Sequence, residues 1–109
     1  MSTKITQSSG NVYADLGIKN PDEHALKAEL VRQIAAVMKD QELTQTAAAR
    51  QLGIDQPDVS KLLKGHFRQF SVERLMRFLV ALGQDVKIVI RPVPPTRAKD
   101  AQLTVTSRG

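Results

Sequence analysis

Within the stretch QTAAARQLGIDQPDVSKLLKG (Gln45 to Gly65), Gln56, Ser60 and Lys61 bring an amide, a hydroxyl and an ammonium group close together among branched aliphatic residues. The amide donates and accepts hydrogen bonds, the hydroxyl can do either, and the ammonium only donates. Such a set suits recognition of a polar surface. It contains no nucleophile with an adjacent base. Cysteine is absent, His24 and His66 fall in different elements, and neither a glycine-rich phosphate loop nor a metal-ligand spacing is present. His24 reads as a surface residue. The expectation is therefore a binding protein and not an enzyme, with no cofactor and no metal.

Charge narrows the partner. The formal net charge is +5. Residues 1–43 hold five Lys/Arg against six Asp/Glu, residues 44–77 six against three, and residues 78–109 five against two. The basic excess thus begins where the quoted stretch begins. A basic surface favours a polyanion through counterion release, although a merely solvated basic face reads the same way. Aromatic residues make up only 4% of the chain, so the core is expected to rest on Leu, Ile, Val and Ala. No apolar run reaches the length of a membrane span, and "MSTKITQSSGNVYADLG" lacks the apolar region of a secretory signal, so a cytoplasmic protein without membrane contact is expected.

The chain's 109 residues suit one domain with tails. Residues 1–19 read as an N-terminal arm, 20–91 as the domain and 92–109 as a disordered tail. In "NPDE", Asn20 is expected to cap a first helix, with Pro21 at its first position and Asp22 and Glu23 facing the helix dipole. Leu26, Leu30, Ile34, Val37 and Met38 then recur at steps of three and four, and the helix is expected to end near Gln41. Thr44 caps a second helix that Gly53 ends, and Asp55 caps a third with Pro57 in its first turn and Gly65 at its close. "HFRQF" reads as a connecting loop. Ser71 caps a fourth helix carrying Val72, Leu75, Met76, Leu79, Val80 and Leu82, which Gly83 ends. "DVKIVIRPV" alternates, with Val86, Ile88 and Ile90 on one face, and reads as a strand over 85–91 that Pro92 halts.

Ala49, Gly53, and the apolar anchors Ile54, Val59 and Leu62 have the layout of a helix-turn-helix. A small residue lets the two helices approach, and glycine accepts the positive φ of the turn. The bland alternative is a generic corner between two helices. If Val59 and Leu62 face inward, Gln56, Pro57, Ser60 and Lys61 face outward near the start of the third helix. That is the end of a recognition helix that reaches base edges in the major groove of double-stranded DNA. Gln pairs with adenine, Lys reaches guanine, Ser serves either, and Pro57 can touch a thymine methyl. Asp55 and Asp58 read as capping residues, with a cytosine contact as the other reading of Asp58. Phosphate contacts are expected from Thr44 and Gln45 at the start of the second helix and from Lys64, His66 and Arg68 beyond the third. His66 reads equally as a surface residue without a role. Arg50 adds long-range charge, and Arg74 and Arg77 read as a solvated face.

"LTQTAAARQLGIDQPDVSKLLKG" resembles the XRE (Cro/C1-type) helix-turn-helix family over roughly residues 24–83. "GNVYADLG" before it and "LGQDVKIVIRP" after it look like the small HigA-like branch of antitoxin-type repressors and their stand-alone relatives. The resemblance implies a homodimeric bacterial DNA-binding protein, with Gln45 on phosphate and Gln56, Pro57, Ser60 and Lys61 at the bases. The expected fold is mainly α: a four- to five-helix domain whose C-terminal strand pairs across a homodimer through Val86, Ile88 and Ile90. Docking of that strand within its own chain is the alternative. The expected function is a sequence-specific repressor acting at the nucleoid. The competing reading is an antitoxin of a type II toxin–antitoxin pair, which binds a toxin and autoregulates its operon. The arm's cluster of Val12, Tyr13, Leu16 and Ile18 fits packing on the domain or a second subunit, capture of a toxin, or disorder.

Overall fold

The computed structural model describes residues 21–96 and 101–106. The Asn20 cap and the arm cluster lie outside these residues. Four helices follow in order: α1 (Pro21–Asp40), α2 (Gln45–Leu52), α3 (Gln56–Leu63) and α4 (Val72–Ala81). The described residues fall into two compact units, one spanning 27–86 and the other combining 21–26 with 87–96 and 101–106.

The 27–86 unit carries the helical core. Leu30, Ile34 and Met38 repeat at every fourth position of α1 and are buried, with Val31 beside them. With them in the buried apolar set are Ala48, Ala49 and Leu52 of α2, Val59 and Leu62 of α3, Leu75, Phe78 and Leu79 of α4, and Leu82 at its C-cap. Phe67 and Phe70 complete the set. The core thus rests mainly on Leu, Ile, Val and Ala, as expected, with rings added to it. The chain has three phenylalanines, and all are buried: Phe67, Phe70 and Phe78. A ring buries about 150–250 Å², so even a few aromatics add much apolar surface to a small core. Val80, expected on the apolar face of α4, is 56% exposed. The Gln41 amide donates to the Leu82 carbonyl at 2.8 Å and ties the end of α1 to the end of α4.

Helix ends follow local chemistry. Thr44 and Ser71 have extended backbones, and their hydroxyls accept from the N–H of Ala47 and Arg74 at 3.0 Å each. Gly53 ends α2 in the left-handed region at φ 73°, and its N–H donates to the Ala49 carbonyl at 2.8 Å. The end of α1 has a similar wrap without a glycine. Leu43 N–H donates to the Met38 carbonyl at 2.9 Å, and Glu42 holds φ 54°. A left-handed residue with a side chain costs about 1–2 kcal/mol, while glycine costs about 0.5–1 kcal/mol in chain entropy. Glu42→Gly should therefore raise the unfolding free energy by about 0.5–1 kcal/mol, read by urea denaturation.

No strand forms among the described residues. Val86 is half-buried, whereas Ile88 and Ile90 are 75% and 86% exposed. A strand needs a second edge for its N–H and C=O groups, and the run at 85–91 has no strand beside it among the described residues. Farther on, Gln102, Thr104 and Val105 are half-buried and Leu103 is exposed.

Candidate nucleic-acid interface

The two short helices α2 and α3 pack on each other, and α2 also touches α4. Ala48 and Ala49 are buried and present only methyl groups, so side-chain bulk does not hold the helices apart. Gly53 reverses the chain, and the Ile54 N–H donates to the Ala49 carbonyl at 3.1 Å. α3 then buries Val59 and Leu62 completely, at 0% exposure each. With those two positions fixed inward, the helical period turns the others out. Gln56, Pro57 and Lys61 are exposed; Ser60 is half-buried, and so is Asp58.

Gln56 is not isolated on that face. Its Nε2 donates to Gln45 Oε1 at 2.6 Å, linking the first residue of α3 to the first residue of α2. Valence determines what remains. Gln56 keeps one N–H and its Oε1 acceptor, and Gln45 keeps both protons of its amide nitrogen. One donor beside one acceptor matches the N7 and N6 edge of adenine. A donor-only group on Gln45 matches phosphate oxygen, at a helix start whose free N–H groups also favour an anion.

Asp55 takes the N-cap position of α3 with an extended backbone, but its side chain makes no capping hydrogen bond. The Asp58 N–H donates to the Asp55 carbonyl at 3.0 Å. Asp58 lies in the first turn, where the helix dipole favours its charge.

Beyond α3, Lys64, His66 and Arg68 are exposed. Between and after them Phe67 and Phe70 point into the core, so HFRQF is a loop anchored at two rings. Lys27 adds a third anchor: its side chain is buried, and Nζ donates to the Arg68 carbonyl at 3.2 Å. The side chains of Lys61, Lys64 and Arg68 form no ion pair among the described residues. Arg32 and Arg77, by contrast, are each joined to a glutamate of their own helix, Glu29 and Glu73. Thr44, Gln45, Gln56, Pro57, Ser60, Lys61, Lys64, His66 and Arg68 all lie in the 27–86 unit. Phe67, Phe70 and Lys27 are the positioning residues that sequence reasoning missed. The three-residue spacing of the rings was the available signal.

No group of His, Cys, Asp or Glu that could hold a metal ion occurs among the described residues. No helix among them is long and apolar enough to cross a membrane.

Two buried alanines, a left-handed glycine and a half-exposed second helix define a helix-turn-helix domain. A family profile described as a helix-turn-helix domain matches residues 12–91. A solved structure described as an XRE family transcriptional regulator shares 46% identity and superposes with a TM-score of 0.74, covering 79% of this chain and 96% of that one. No curated protein matches. The chain belongs to the XRE helix-turn-helix family.

Proposed function

We propose that this protein is a sequence-specific DNA-binding transcriptional regulator, a repressor that reads the major groove with α3 as a homodimer. One observation carries the reading. α3 hides Val59 and Leu62 completely and turns Gln56, Pro57 and Lys61 to solvent, with the Gln56 amide already oriented by Gln45. Gln56 then reads adenine, Lys61 guanine, Ser60 either base and Pro57 a thymine methyl. Thr44, Gln45, Lys64, His66 and Arg68 hold the flanking phosphates and set the register. The segments GNVYADLG and LGQDVKIVIRP support a place in the HigA-like branch.

The exposed run at 86–90 supports the homodimer. Ile88 and Ile90 are exposed, and an unpaired strand edge is a template for another chain. Pairing with the same run of a second copy gives a two-stranded ribbon with Val86, Ile88 and Ile90 on one face. Two copies of α3 then read half-sites about 34–36 Å apart. Occupying such a site over a promoter excludes polymerase, which is repression.

Selection of duplexes from a random pool tests both parts. The expected product is a palindrome with half-sites one helical turn apart. A pool that shows no enrichment would sink the regulator reading. A protein that stays monomeric at high micromolar concentration would sink the dimer.

A further inference from the structure

We propose that Arg74 is a phosphate clamp held ready by two phenylalanine rings, an anion-binding side chain beside the α3–α4 loop. The proposal rests on the DNA-binding reading and extends it to a residue that sequence reasoning took for a solvated face.

Arg74 lies in the first turn of α4, one helical turn after the Ser71 cap. Its guanidinium carbon sits 5.0 Å from the centroid of Phe70 and 5.5 Å from that of Phe78. Both distances fall within the range in which a cation is attracted to a ring face. The rings meet edge to face, 5.6 Å apart at 69°, and both are buried. The cation therefore rests on fixed core and not on a mobile surface.

Its donors are unused. The Arg74 side chain makes no hydrogen bond and no ion pair among the described residues. The contrast on the same helix is direct, because Glu73 accepts from Arg77 at 2.9 and 3.1 Å. A guanidinium carries five N–H donors in its plane, and contact with rings leaves in-plane donors free. A planar fork of donors with undiminished charge matches the paired oxygens of a phosphate.

Position selects the phosphodiester backbone over other anions. Phe70, on which Arg74 rests, closes the loop that displays Lys64, His66 and Arg68. Arg74 follows Lys64, His66 and Arg68 along the chain as a further exposed basic residue, so it comes soon after the expected phosphate contacts. An acidic segment of a protein partner would offer similar oxygens without the regular repeat of a phosphate backbone.

The test uses the full chain, its Arg74→Gln and Arg74→Lys variants, and the selected duplex over a salt series. Arg74→Gln should weaken binding to all sequences alike and lower the slope of log K against log salt by about 0.9, the signature of one phosphate lost. Arg74→Lys should recover the slope but not the full affinity. Duplexes carrying one neutral methylphosphonate, scanned along both strands, give the second readout. One position should weaken the natural chain and leave Arg74→Gln indifferent. A purely structural Arg74 would lower the melting temperature yet leave slope and scan unchanged, and that result overturns the proposal. So does a variant that loses an acidic protein partner while holding DNA normally. In either case the DNA-binding reading survives if Lys61→Ala still loses base discrimination. Failure of the natural chain to select any duplex removes both.

Discussion

Phe70→Ala should lower the unfolding free energy by about 3–5 kcal/mol, the range for deleting a fully buried ring. Phe70 is 1% exposed, packs edge to face on Phe78 and supports the Arg74 guanidinium. Small domains have only about 5–15 kcal/mol in total, so the variant should be partly unfolded near body temperature. A urea titration at 25 °C followed by circular dichroism measures the loss. Phe70→Leu, which keeps much of the volume, should recover more than half of it. A loss under 1 kcal/mol for the alanine variant would mean that the ring is not a core member in solution. Binding should fall with folding, because Phe70 ends the loop that displays Lys64, His66 and Arg68.

Lys61→Ala should leave the fold intact and remove about 1–3 kcal/mol of binding at one base pair of the site. Lys61 is exposed, and only its charge and reach are lost. Substituting that base pair should weaken the natural chain but no longer weaken the variant. Arg68→Ala provides the contrast, since a phosphate contact carries no sequence information and its loss should weaken every duplex alike. Measured affinities for the site and for each single base-pair change separate the two patterns. Equal loss for both variants on every duplex would show that Lys61 does not read bases.

The helix boundaries were legible because their causes are local. A hydroxyl at Thr44 or Ser71 reaches an N–H three residues on, and Gly53 needs nothing but its own missing side chain. The inward positions of α3 followed from Val59 and Leu62 in the same way. What escaped the sequence depends on distant partners. The bond from Lys27 to Arg68 joins residues 41 apart. Phe67 and Phe70 looked like loop residues because their three-residue spacing was the only sign of burial and no helical period extended it. Asp55 has the residue type and backbone of an N-cap but makes no side-chain capping bond, and the Asp58 N–H donates to its main-chain carbonyl. The run at 85–91 shows strand alternation, yet a strand's hydrogen bonds require a neighbouring edge, and none stands among the described residues. Of the proposed recognition residues, Gln56, Pro57 and Lys61 emerge exposed as the period demanded, and Ser60 sits deeper. The link between Gln45 and Gln56 was invisible, because it depends on how closely two helix starts converge.

That link bears on kinetics. With the two amides joined before any encounter, the reading end of α3 has little rearranging to do on arrival. Capture should then proceed at a rate set by diffusion and long-range attraction, nearly the same for every duplex. Discrimination would reside in how long each complex lasts before it falls apart.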